Sequence, residues 1–358
     1  MKRFLFYILL IVFMLSAVYV CSCKKNVTKQ EQLHRYIGEQ VSHSKERIQC
    51  IDIYGNKQYY KILSNENKTV AFVQNRVIGR VRRSAVPSEI MCNDTVYTVK
   101  EIEDFAFRDC WNLRSVILPD SLEAIGVRAF ERCYSLKNIK IPDGVRTIDD
   151  SAFMRCSSLS SVKLPSSLTY IGKHAFYKCS NLKQVIFKNP IGNRSDVQLE
   201  IDRSAFKDCK KLKSIQLPNT LKYIGWYCFE NCKSLKSIVF PPQVEVIEYS
   251  IFRNCSSLVD ITLPDSLRKI NNYAFSDCAS LEKLVIPAST RLINSCAFSG
   301  SNNLRSIIVE SDTPPKVYEY TFYDRHYNNP EHKVSVIKNR FIIYVLDESL
   351  ELYKSHKL

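Results

Sequence analysis

The sequence predicts an α/β repeat solenoid, in which each unit adds one strand to a parallel β-sheet and closes with a short helical turn. Three observations predict it. Cys110, Cys133, Cys156 and Cys179 stand 23 residues apart, and after one gap of 30 the step of 23 resumes through Cys209, Cys232, Cys255 and Cys278. Phe107, Phe130, Phe153, Phe176, Phe206, Phe229, Phe252, Phe275 and Phe298 keep the same phase, as do nine isoleucines from Ile102 to Ile293. Prolines close the same segment at Pro119, Pro142, Pro165, Pro218, Pro241, Pro264 and Pro287. A fixed period in the twenties marks stacked units that cannot bury an apolar face alone and so share one core.

Composition agrees and excludes other classes. Apolar residues make up 45% of 358, enough for a sizeable core and too many for a disordered chain. Only 9 glycines argue against collagen, glycine-rich linkers and glycine-loop nucleotide folds. The net charge of +15 suits acidic partners without naming one.

Residues 1–22 read as a targeting signal. Met1-Lys2-Arg3 is basic, and an apolar run from Phe4 to Val20 follows, short for a membrane span of about 20 residues. Val20-Cys21-Ser22-Cys23 then resembles a bacterial lipoprotein box, with Cys23 as the acylated residue because small Ser22 precedes it. An ordinary signal peptide or an uncleaved anchor would open in a similar way. Acylation at Cys23 would hold the chain to a membrane through an N-terminal lipid, at the bacterial outer membrane or cell surface. Residues 23–49 are polar and of mixed charge, a tether.

Residues 50–100 read as a β-rich N-terminal cap, with Tyr54-Gly55-Asn56 between two strand-like runs. Residues 101–310 carry about nine units of the form L-x-x-I-x-L-P-x-x-L-x-x-I-G-x-x-A-F-x-x-C-x-x. The stretch from Leu136 to Pro142 alternates as a half-buried strand and stops at proline, which cannot donate to a ladder. The position after the second isoleucine holds Gly126, Asp149, Gly172, Asp202, Gly225, Asn271 and Asn294, residues suited to a tight turn or helix cap; Glu103 and Glu248 fit that account poorly. The A-F-x-x-C stretch reads as the helical turn. An insertion at 188–197 lengthens one unit, and 311–358 form a C-terminal cap.

These residues resemble the BspA-like class of leucine-rich repeats over about residues 50–355. The likeness implies a leucine-rich repeat solenoid of a bacterial surface protein. It also implies a β-rich start, as at Tyr59-Tyr60-Lys61-Ile62-Leu63, and a final strand with a tyrosine-bearing helix, as at Phe341–Val345 and Ser349–Lys354. Leu346 stands where the family usually has proline, and in the last unit Ser301 replaces the cysteine and Glu310 the proline.

The eight cysteines in phase form one inward column, which points to packing and not to disulfides or a metal. A metal site would need clustered ligands such as C-x-x-C. Cys50 and Cys92 lie outside the column and could pair. No G-x-S-x-G, H-E-x-x-H, Walker or G-x-G-x-x-G motif occurs, and the 6 histidines are scattered, so the reading is non-enzymatic, with no cofactor and no metal.

Solenoids of this kind bind partners on exposed strand positions. The first such column holds Arg114, Lys137, Ser160, Lys183, Lys213, Lys236, Val259, Glu282 and Arg305, and Lys140 and Lys163 stand within the strands. A basic stripe of Arg114, Lys137, Lys140, Lys163, Lys183, Lys213 and Lys236 would attract an anionic partner, an acidic glycan or an acidic protein patch. A solvated face with lysines kept for solubility explains the same residues. Nucleic acid is disfavoured by the export signal. The resemblance implies adhesion to host or matrix proteins or to other cells; the alternative is an envelope scaffold lipoprotein that binds a bacterial protein or polysaccharide.

Overall fold

The computed structural model describes residues 39–40, 47–52, 54–74, 80–188, 198–318, 320–321 and 342–344. Cys23, most of the tether, the insertion from Asn189 to Val197 and most of the C-terminal segment lie outside the described residues. The described part is rich in strands joined in parallel, and no helix occurs within it.

Two rows of short strands run through the repeats. One row holds Arg83–Ala85 beside Ser115–Ile117, then a sheet of Ser161–Leu164, Gln184–Phe187, Ser214–Gln216, Ser237–Val239 and Asp260–Thr262. A bridge from Lys140 to Lys163 and the sheet of Lys283–Ile286, Ser306–Val309 and Ile342–Tyr344 continue it. The other row pairs Ile102 with Ile125, Ile125 with Ile148, Ile148 with Ile171 and, across the longer gap, Ile171 with Ile201. It resumes as Val246–Ile247, Lys269–Ile270, Leu292–Ile293 and Lys316–Val317. Alternation decides which side is buried: Val162 and Leu164 point inward, while Ser161 and Lys163 point to solvent.

The core between the rows is a stack of aromatic rings. Phe107, Phe130, Phe153, Phe176, Phe206, Phe229, Phe252, Phe275 and Phe298 lie nearly parallel, with centroids 4.9 to 5.8 Å apart. Phe72 extends the stack at 4.7 Å from Phe107, and Tyr60 closes it edge-on. All of these rings are buried. Offset stacking of this kind adds about 0.5–1.5 kcal/mol per pair beyond burial.

The A-F-x-x-C segment departs from the helical turn expected of it. Phe105 and Asp109 have φ of 62° and 60°, and Arg128 and Arg132 have 54° and 61°. Left-handed residues at this spacing interrupt an α-helix. The amides between them alternate. The Ala106, Arg108 and Cys110 N–H groups close local turns on the Glu103, Phe105 and Phe107 carbonyls. The Phe105, Phe107 and Asp109 N–H groups donate instead to Val127, Ala129 and Glu131 of the next unit. Backbone groups are thus satisfied alternately by local turns and by the next unit, and not along a helix.

The cysteine column is buried at Cys110, Cys133, Cys156, Cys179, Cys209, Cys232, Cys255 and Cys278, all as free thiols. It also does polar work that packing alone does not describe. The seven thiols from Cys133 to Cys278 each donate to the phenylalanine carbonyl of the unit before, among them Cys133 to Phe107 at 3.1 Å, Cys179 to Phe153 at 3.2 Å and Cys278 to Phe252 at 3.2 Å. Cys92 is also a free, buried thiol, so it does not pair with Cys50.

The glycines after the second isoleucine answer a close approach. A Cβ at Gly126 would stand 2.6 Å from Asp104 Oδ1, and one at Gly172 would stand 2.5 Å from the Asp150 N. Neither glycine has a left-handed φ. The Asp104 and Asp150 carboxylates accept the N–H groups of Val127 and Lys173 at 2.7 and 2.8 Å. The column also opens a tight turn, as expected of it: the Gly126, Asp149 and Gly172 carbonyls accept the Ala129, Ala152 and Ala175 N–H groups at 3.2, 3.1 and 3.1 Å.

At the N-terminal side, Arg47–Ile51, Lys57–Ser64 and Thr69–Gln74 pair antiparallel. Glu89–Cys92 pairs antiparallel with Thr95–Ile102 through Asn93 and Asp94, whose φ of 46° and 60° suit a two-residue primed turn. Buried Asp52 ties this region to the first strand row. Its carboxylate accepts the Tyr54 and Asn56 amides at 2.9 and 2.8 Å, and the Ser84 hydroxyl and Ala85 amide at 3.1 and 3.2 Å.

Candidate binding face

The first strand row leaves three files of side chains in solvent. The first holds Arg114, Lys137, Lys183, Lys213 and Lys236, all exposed, with half-buried Ser160 among them. Backbone bonds place them on successive rungs: Ser160 N–H donates to the Lys137 carbonyl, Lys183 to Ser160, Lys213 to Lys183 and Lys236 to Lys213. The second file is short and polar, with Ser115, Asn138, Ser161, Gln184, Ser214 and Ser237. The third mixes exposed Lys140, Lys163 and Gln216 with Ile117 at 53% and Val239 at 60% exposure.

The file of cations begins earlier than the repeats. The Arg114 N–H donates to the Arg82 carbonyl at 2.8 Å, so exposed Arg82 is the rung before Arg114. Asp52 and Asn56 fix this rung, because Asn56 Nδ2 donates to the Arg83 carbonyl at 2.8 Å. A signal existed: Val81-Arg82-Arg83-Ser84-Ala85-Val86-Pro87 repeats the pattern of Leu113-Arg114-Ser115-Val116-Ile117-Leu118-Pro119.

Among the described residues, Lys137, Lys163, Lys183, Lys213, Lys236 and Arg114 have no carboxylate within ion-pair distance. Lys140 reaches Asp120 at 3.4 Å at the edge of the face. The second strand row is different. There Lys100 pairs with Glu123 at 2.6 Å and Arg268 with Glu245 at 3.4 Å, so cations meet carboxylates on neighbouring rungs at two places. Like charges on adjacent strands destabilise a sheet, so a one-sign file adds nothing to the fold.

Other charge clusters are structural. Buried Glu131 is held by Arg108 at 3.1 Å, Arg132 at 3.5 Å and Arg128 at 3.8 Å on the turn edge. On the second row, burial first, then the nearby Asp104, Asp150 and Glu101 carboxylates push Asp149 up to about 6. Burial, then Lys173, Arg203 and Lys207, hold His174 below the usual imidazole range. Lys188, at the start of the insertion, pairs with Asp143. Among the described residues no group of three or more His, Cys, Asp or Glu side chains could hold a metal ion, and no helix is long and apolar enough to cross a membrane.

The family model of the BspA type leucine-rich repeat region matches residues 93–195 and 199–329 in six copies. A leucine-rich repeat protein from Bacteroides ovatus ATCC 8483 is similar in structure, with 25% identity and a TM-score of 0.59 over 81% of this chain and 76% of that one. The T. pallidum leucine-rich repeat protein is 26% identical over 68% of this chain and 86% of its own, with a TM-score of 0.44. A leucine rich cell surface protein from Faecalibacterium prausnitzii A2-165 is 22% identical over 75% of this chain and 96% of its own, with a TM-score of 0.32. No curated protein matches the chain.

Proposed function

Because the chain belongs to the BspA-type leucine-rich repeat family, whose members are typically non-enzymatic surface or binding proteins, we propose that it is a surface-anchored binding protein. Its units wind as a solenoid of 23-residue coils, and its partner docks on the first strand row. One observation carries this reading. The file of Arg114, Lys137, Lys183, Lys213 and Lys236 carries only cations and has no carboxylate partner among the described residues, while cations of the other row pair with carboxylates on neighbouring rungs, Lys100 with Glu123 and Arg268 with Glu245. Lysines kept for solubility would not need to share a sign on successive rungs. Such a file raises the local concentration of anionic partners and speeds their encounter.

Adhesion to matrix proteins or other cells is the role we infer for this face. The test is binding of the protein to a panel of matrix proteins and acidic glycans at low and high salt. A variant with Lys137, Lys183, Lys213 and Lys236 changed to Glu should lose that binding. Retained binding by the variant overturns the assignment of this face. Binding to nothing on the panel shifts the reading to an envelope scaffold, for which crosslinking in intact cells would identify a bacterial partner. Anchoring through Cys23 has its own test. Cys23→Ala should leave the precursor unprocessed and unlabelled by palmitate, and normal labelling of the variant refutes lipidation there.

A further inference from the structure

We propose that the occupant of this face is a linear polyanionic polysaccharide, lying along the file of cations and crossing the strands. The inference rests on the binding-face reading above and names its ligand class.

Three features select a repeating polymer over an acidic patch on a folded protein. The first is periodicity. Arg82, Arg114, Lys137, Ser160, Lys183, Lys213 and Lys236 occupy successive rungs. Rungs about 4.8 Å apart place these side chains along roughly 30 Å, a step close to the length of one sugar in a chain. A folded protein has no reason to present carboxylates at a constant step, whereas a polysaccharide carries them by construction. The second is what lies beside the cations. Ser115, Asn138, Ser161, Gln184, Ser214 and Ser237 are short, exposed and able to both donate and accept hydrogen bonds, as ring hydroxyls require. They leave a level floor, and exposed Ile117 and Val239 add apolar surface for sugar C–H groups.

The third is the end of the track. From Arg82 to Lys236 none of the three files holds a carboxylate. On the next two rungs Asp260 and Glu282 enter the exposed files. An anionic chain that follows the cations is therefore repelled beyond Lys236, which gives the site a defined length.

The experiment titrates the full-length protein with dextran sulfate fragments of increasing length, and with poly-glutamate of matched charge as the acidic-peptide arm. Two variants of equal net charge are compared. One carries Lys183→Glu, Lys213→Glu and Lys236→Glu. The other carries Lys210→Glu, Lys222→Glu and Lys233→Glu at exposed positions off the file. Affinity for dextran sulfate should climb with fragment length and level off once the fragment spans Arg82 to Lys236. The on-file variant should lose roughly tenfold or more in affinity and show a weaker salt dependence, since fewer counterions are released. The off-file variant should change little.

Binding that ignores fragment length, or that is as strong for poly-glutamate, and that the on-file variant loses, overturns the polysaccharide while leaving the face in place. Equal binding by both variants overturns the face as well. Absence of binding to every polyanion overturns the polyanionic ligand, and the matrix-protein panel then decides the face by itself.

Discussion

The Ser301 hydroxyl donates to the Phe275 carbonyl at 2.6 Å, on the same track along which seven cysteine thiols donate to the phenylalanine one unit before. Ser301 also accepts the Cys278 N–H at 3.1 Å. Its presence in the cysteine column is therefore a substitution of one donor for another and not a loss of the repeat. Ser301→Ala leaves a buried carbonyl short of a donor and should lower stability by about 1–2 kcal/mol. Ser301→Cys should stay within about 1 kcal/mol of the parent. Urea midpoints of the two variants check this, and equal loss in both would refute the donor role.

Truncation in the ring stack should be costly. Phe153 is fully buried, 5.1 Å from Phe130 and 5.2 Å from Phe176, so Phe153→Ala opens a cavity between two stacked neighbours. We expect a loss of about 3–5 kcal/mol. Phe72→Ala tests whether the N-terminal strands fold with the repeats. If they do, one shared unfolding transition moves; if they do not, hydrogen exchange will show only residues before Ile102 losing protection.

Asp149 should make the protein less stable as pH rises. Its carboxyl is pushed up to about 6, chiefly by burial and then by Asp104, Asp150 and Glu101, against an ordinary value near 3.9 in the unfolded chain. The folded state therefore holds the proton more tightly than the unfolded state. Stability falls between about pH 4 and pH 6, and the full penalty is present above that window. Asp149→Asn should gain on the order of 1 kcal/mol at pH 7, discounted because the group is only half-buried, and gain nothing below pH 4. A denaturation series from pH 3.5 to 7.5 measures it. A gain that does not vary with pH would show that the carboxylate charge is irrelevant.

Thiol reactivity should separate one cysteine from the rest. Ten free cysteines are buried, and Cys296 alone among the described free thiols is partly exposed. Burial pushes the thiols of Cys133, Cys156, Cys179, Cys209, Cys232, Cys255 and Cys278 upward, which starves them of the reactive thiolate. Among these eleven, a maleimide probe should label Cys296 first in the native protein and the others only after denaturation. Mass spectrometry that finds the column cysteines labelled natively would refute their burial.

How far the sequence alone reaches is clear from individual residues. Columns repeating at one step, such as Phe107 to Phe298, announce their burial because every copy must meet the same neighbours. The turn is harder to read, because Ala106-Phe107 with a cysteine three further on looks helical in one dimension. Only the partner unit shows that the Phe107 amide points to Ala129. Arg82 and Phe72 escape the repeat pattern for another reason. The hairpin of Glu89–Cys92 and Thr95–Ile102 shifts the spacing there, so residues in structural phase are out of numerical phase. The Glu131 ion cluster is hidden because Arg108, which approaches it most closely among the three arginines, comes from the unit before, while Arg128 and Arg132 flank it in its own unit.

The longer gap in the repeat has a practical meaning. Phe176 and Phe206 stack at 5.3 Å, no farther apart than neighbours 23 residues apart, and Ile171 pairs with Ile201 as if nothing intervened. The seven extra residues of this unit fall between Lys188 and Gln198 in the sequence, and the spacing of the rings on either side is unchanged. Lengthening a flexible connection costs little, since each doubling adds only about 0.6 kcal/mol. This junction is a ready port for cargo: an epitope or a fluorescent peptide could be spliced there for display, with the neighbouring strands left to hold their own register.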